Sequence, residues 1–120
     1  MDIEKITIAD RADPHVMKYG GIYYMTATID DGTQRNLAIR ASDSITGFAE
    51  AEDHIIYDSG DRLVWAPELH NINGTVYLFF AMGKTWDRVQ SCVMRHKGGN
   101  LLDPNAWDDP KKVRDMDGKP

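Results

Sequence analysis

Two short stretches hold the side chains best suited to work on a polar substrate. Ala12-Asp13-Pro14-His15 sets a carboxylate and an imidazole around a proline. Trp65-Ala66-Pro67-Glu68-Leu69-His70 repeats that theme and adds an indole. Carboxylates that meet in one pocket suit glycosidic hydrolysis: one takes a proton from water while another protonates the leaving oxygen. Enzymes that invert the anomeric centre hold the pair roughly 6.5–9.5 Å apart. Trp65 beside them would stack on a sugar face, and His15 could donate to a neighbouring carboxylate. Each residue also has a plainer use. Asp-Pro is a common turn dipeptide, Glu68 and His70 read equally as solvated strand residues, Trp65 as core, and His15 as an ordinary strand histidine.

For these stretches to meet, the chain must bring residues some fifty positions apart to one place. Its periodicity is that of strands. Ile22 to Ile29 is rich in aromatic and β-branched residues, and Val76 to Met82 is an apolar run of strand length between turn residues. Turn signals recur at Gly20-Gly21, Asp30-Asp31-Gly32, Asp58-Ser59-Gly60 and Gly98-Gly99-Asn100. Asn73-Gly74 is the strongest of the hairpin signals, since a type I′ turn needs φ > 0 at both central residues. No stretch offers a long amphipathic helix.

An internal repeat narrows the architecture. Pro14 to Thr28 aligns without a gap on Pro67 to Ala81, an offset of 53 residues, matching Pro14 to Pro67, Gly21 to Gly74 and Tyr24 to Tyr77. Each copy is followed by a third strand, near 36–42 and 89–96, and a short fourth, near 54–57 and 111–114. With 14–19, 22–29, 67–72 and 75–82 these make eight strands. Four-stranded units repeating at about 40–50 residues are the mark of a β-propeller. The expected fold is therefore all-β, with two four-stranded blades, the first over about 12–58 and the second over about 64–115. In a propeller the innermost strands line a central channel, so Asp13 and Glu68 can share its mouth. Two blades do not close a ring, so the chain reads as a partial propeller domain. Its expected neighbours are the remaining blades or a further copy of itself.

Composition sets broad limits. Of 120 residues, 42% are apolar and 28% charged, enough for a packed core. The net charge of −5 argues against nucleic acid and anionic membrane, which call for clustered Lys and Arg. A neutral oligosaccharide or polysaccharide suits it. Lone Cys92 leaves no internal disulfide, and no apolar run reaches the ~18 residues of a membrane span. Met1-Asp2-Ile3-Glu4-Lys5 lacks the apolar stretch of a secretion signal, which suits a cytoplasmic chain or an exported one whose leader lies elsewhere. No metal or cofactor is expected. His15, His54, His70 and His96 lack zinc spacing, and Asp30-Asp31 and Asp108-Asp109 read as solvated turns rather than a calcium loop. Arg40 either pairs with a channel carboxylate or ends a strand. Asp103 to Trp107 reads as a loop or short helical turn.

Taken in order, these motifs resemble glycoside hydrolase family 43, the five-bladed propellers that remove arabinose or xylose units from plant polysaccharides. The residues that carry the likeness are Ala12-Asp13-Pro14-His15-Val16 with Gly21-Ile22-Tyr23-Tyr24, the segment Leu37 to Phe48, and Trp65-Ala66-Pro67 leading into Asn73-Gly74. The resemblance implies an inverting glycosidase with Asp13 as general base. It implies substrate contact from the second-blade motif, for which Trp65, Glu68 and His70, with His15 from the first, are the candidates. The family's general acid, a Glu of the fourth blade, and its pKa-tuning Asp of the third have no counterpart in this chain. The isolated chain is therefore expected to be inactive. A carbohydrate-binding propeller without catalysis is the alternative, and a non-propeller interaction domain is disfavoured by the repeat.

Overall fold

The computed structural model describes residues 12–29, 34–85 and 87–113, and for Ala12 and Asp13 the backbone alone. The expected turn at Asp30-Asp31-Gly32, the side chain of Asp13 and the end of the last strand at Arg114 lie outside this description. The described residues are all-β, with eight strands in chain order: β1 (Ala12–Tyr19), β2 (Ile22–Thr28), β3 (Asn36–Ser42), β4 (His54–Asp58), β5 (Leu63–Ile72), β6 (Thr75–Gly83), β7 (Val89–Arg95) and β8 (Lys111–Lys112). Two 3₁₀ turns, Thr46–Ala49 and Pro104–Ala106, interrupt the loops. The strands form two antiparallel four-stranded sheets in simple meander order, β1 to β4 and β5 to β8. These are two propeller blades.

Local chemistry explains the tight turns. Asn73 and Gly74 both hold positive φ, 52° and 88°, as a type I′ turn requires, and the Asn71 side chain accepts the Gly74 N–H at 2.9 Å. Gly20-Gly21 does the same job at the first hairpin. The Pro104–Ala106 turn is capped by Asp103, whose carboxylate accepts the Asn105 N–H at 2.9 Å.

The repeat is legible pair by pair. In the first hairpin Ala12 faces Thr28, His15 faces Thr26 and Met17 faces Tyr24. Fifty-three residues on, Trp65 faces Ala81, Glu68 faces Phe79 and His70 faces Tyr77. Even the register shift recurs, between Ala12 and His15 and again between Trp65 and Glu68. Both innermost strands therefore start earlier than expected, at Ala12 and Leu63 instead of 14 and 67. The prolines do not open the strands. Pro67 lies within a bulge, where a residue is left out of the ladder and its missing N–H is not needed. The third strands break the symmetry: Tyr24 faces Ala41, whose counterpart would be Met94, yet Tyr77 faces Arg95.

Alternation along β6 buries Val76, Leu78 and Phe80 and leaves Tyr77 and Phe79 half-covered. The buried set packs with Leu69, Cys92 and Met94 against Leu37, Ile39 and Ile56 of the first sheet, so the main core is the seam between blades. Burying each such side chain contributes about 1.5–3 kcal/mol. Leu101 and Trp107, from the loop after β7, close one side, and the Trp107 indole N–H donates to the Leu101 carbonyl at 3.0 Å. No described helix is long and apolar enough to cross a membrane.

Candidate functional site

The site begins at the bulge of β5. Ala66 sits in the left-handed region at φ 53°, and its N–H leaves the ladder to donate to the Thr28 hydroxyl at 2.9 Å. Thr28 is buried and ends β2, opposite Ala12. The opening residues of the two innermost strands are thereby held together, and a hollow of about 260 Å³ forms between Pro14, His15, Ala66, Pro67 and Glu68. That is just below the roughly 300–1,000 Å³ of pockets for drug-sized ligands.

Three expected residues converge at its edge. Leu69 donates its backbone N–H to His15 Nδ1 at 3.1 Å, a bond between the two sheets. This holds the His15 ring against β5, with Nε2 3.9 Å from Glu68 Oε1. The same carboxylate oxygen lies 3.2 Å from His70 Nε2. The two imidazoles are 5.1 Å apart at 45°, and the His70 ring meets Phe79 edge-on. Glu68 and His70 stand two apart on β5, so both side chains leave the same face.

Charge and tautomer follow from these contacts. Burial, and next His70, lower the His15 pKa below 6.5 against the opposing pull of Glu68. His15 is therefore neutral at pH 7. Because Nδ1 accepts from Leu69, the single ring proton sits on Nε2. Ligand atoms of His15, Glu68 and His70 all lie within 4.8 Å of one another, a spacing a metal ion could bridge. A ligating histidine, however, offers a lone pair on one nitrogen and donates from the other. His15 does the reverse, with its acceptor nitrogen engaged by an amide and its N–H facing Glu68, so the trio does not fit a metal.

The remaining candidates fall elsewhere. Trp65 is half-buried opposite Ala81 and is not among the described residues lining the hollow. Asp13 lies within the bulge of β1, two residues before His15, at the position that Ala66 takes in β5. Arg40 serves the first sheet. Its guanidinium donates to Asp53 at 2.8 and 3.4 Å and to the Phe48 carbonyl at 2.8 Å, tying down the loop that follows β3. Asp108 pairs with Arg95 at 2.9 Å on the surface, which holds its carboxyl below the usual range. His54 is exposed on β4, and His96 is buried against Trp107. Sequence reasoning missed Thr28 and Phe79. The strand alternation and the 53-residue offset were a signal for Phe79, opposite Glu68. Nothing local marked Thr28, whose partner lies 38 residues on.

Comparison with known proteins completes the description. The family model for "Glycosyl hydrolases family 43" matches residues 5–115. Alpha-L-arabinofuranosidase 43 of Humicola insolens is 36% identical, over 79% of this chain and 21% of its own. An extracellular exo-alpha-(1->5)-L-arabinofuranosidase of Streptomyces avermitilis is 39% identical, over 86% of this chain and 22% of its own. Among solved structures, an alpha-L-arabinofuranosidase from Lactobacillus brevis superposes with a TM-score of 0.76 at 24% identity, covering 91% of this chain and 38% of that one. The chain thus spans about a fifth of the length of these two curated relatives.

Proposed function

Because the chain belongs to glycosyl hydrolase family 43, we propose that it is the opening part of a glycosidase that releases arabinose from plant polysaccharide with inversion. The two sheets are the first blades of a longer propeller, and further blades cover the faces left open here. Asp13 is the general base that deprotonates the attacking water. The general acid comes from beyond this chain. Glu68, His15 and His70 hold the sugar at the mouth, with Trp65 beside them. Arabinose is preferred over xylose because the relatives at 36% and 39% identity are named arabinofuranosidases.

The observation that carries the reading is the shared hollow. The Asp13 and Trp65 motifs carry the same bulge in their strands, and Pro14, His15 and Glu68 line one cavity between them. Its test is Asp13→Asn in the full-length enzyme, on aryl α-L-arabinofuranosides and β-xylosides. Loss of a general base lowers kcat by about 10²–10⁴-fold with KM little changed. Proton NMR of the first-formed sugar reports inversion. Near-normal turnover by the variant would remove Asp13 as base. A wild-type protein that binds arabino-oligosaccharide without cleaving it would make the propeller a binding module instead.

A further inference from the structure

We infer that His15 and Glu68 form a polarised notch that reads one neutral hydroxyl of the bound sugar, with His15 Nε2–H as fixed donor and Glu68 as fixed acceptor. The inference rests on the reading of the hollow as a sugar site and adds which atom gives and which takes. Its foundation is the Leu69 N–H to His15 Nδ1 bond at 3.1 Å. A backbone amide is an unconditional donor, so the nitrogen facing it must carry a lone pair, and the proton is confined to the other nitrogen. The ring cannot reverse its polarity without leaving a buried amide unpaired.

The gap supports the same conclusion. At 3.9 Å, His15 Nε2 and Glu68 Oε1 are too far apart for a direct hydrogen bond. An oxygen set to one side can lie about 2.8 Å from both. A hydroxyl fits there, since it accepts from Nε2–H while donating to the carboxylate. A sugar carboxylate would be repelled by Glu68, and an ether oxygen offers it no proton. The notch therefore selects neutral sugars with a free hydroxyl at that position and excludes uronic acids and the O-methylated sugar. His70, 3.2 Å from the same Glu68 oxygen, keeps the carboxylate turned toward the gap.

The test separates a donor from a simple tie between blades. In His15→Asn the amide oxygen stands where Nδ1 stood and still accepts from Leu69, but nothing replaces Nε2–H. In His15→Gln an amide N–H reaches the Nε2 position and the Leu69 bond is lost. The full-length enzyme, labelled with ¹⁵N-histidine, is expected to show His15 at pH 7 as the neutral Nε2–H tautomer. His15→Asn is expected to raise KM for an aryl α-L-arabinofuranoside, and the dissociation constant of L-arabinose by calorimetry, about tenfold. His15→Gln recovers most of that loss. An Nδ1–H or doubly protonated ring at pH 7 would overturn the inference. So would the reverse order, with Asn like wild type and Gln impaired, since that is the signature of a structural tie alone. A wild type inert toward arabinosides would sink the glycosidase reading by itself; the tautomer and the L-arabinose titration would still decide the notch.

Discussion

The Thr28 hydroxyl accepts the Ala66 N–H at 2.9 Å, joining the last residue of β2 to the bulge of β5. This bond pins the left-handed Ala66, and with it the wall of the hollow. Thr28→Val keeps the shape and removes the acceptor. Leaving a partly buried donor unsatisfied costs about 1–3 kcal/mol. We expect a lower urea midpoint with unchanged slope, and Thr28→Ser to recover part of the loss. An unchanged midpoint for Thr28→Val would show that the bulge holds without this bond.

Glu68→Gln tests the division between binding and chemistry. The amide fills the same space without the charge that accepts from a sugar hydroxyl. Charged hydrogen bonds contribute about 1.5–3 kcal/mol, so KM for an aryl arabinofuranoside is expected to rise by about tenfold or more with kcat nearly kept. Collapse of kcat with KM unchanged would place Glu68 in the chemical step.

Arg40 is mostly covered, with 12% of its side chain exposed, and Asp53 retains 28%. Arg40→Met takes from the Asp53 carboxylate and the Phe48 carbonyl the charged donor they share, at a cost of about 1.5–3 kcal/mol. Arg40→Lys supplies one point of charge without the planar fork and falls between. Proteolysis should then find the loop at 43–53 before any other described segment. Cleavage that begins elsewhere would mean the loop is held by other contacts.

His96 makes folding sensitive to acid. It is buried against Trp107, its Nε2 has no partner among the described residues, and burial lowers its pKa below 6.5 against a backbone bond at Asn100. The unfolded chain therefore takes up the proton first. The stability due to neutral His96 is complete above pH 6.5 and is lost as pH falls through the lowered folded value. His15 acts in the same direction. Thermal melts from pH 7 to 5 should show a falling Tm, and His96→Phe, which keeps a ring beside Trp107, should flatten part of that slope. Parallel slopes for both proteins would acquit His96.

Much of this architecture was legible in the sequence because strand alternation and turn chemistry are local. Ile22 to Thr28 and Val76 to Phe80 declare their faces, and Asn73-Gly74 fixes a register. The offset from Tyr24 to Tyr77 carried that register to the other hairpin, where it holds pair for pair. The bulges were not legible. A proline reads as the start of a strand, and only the ladder shows that Leu63 to Trp65 already pair before Pro67. The convergence of His15 with Glu68 and His70 was expected only in outline, as a shared mouth. The tautomer of His15 was out of reach, because it depends on an amide 54 residues away across the seam.

The one-residue change of register in the third strands divides each blade into an interchangeable part and a bespoke part. β1–β2 and β5–β6 present the same backbone frame to the channel, residue for residue. β3 and β7 meet that frame at an offset of 54 instead of 53. Ladder partners share a face, so Ala41 and Arg95 look the same way and the added residue is taken up in the connection between the second and third strands. A chimera cut in the loops after β2 and β6 would exchange inner hairpins like cassettes. A cut one strand further out would carry the added residue of the second blade's connection with it.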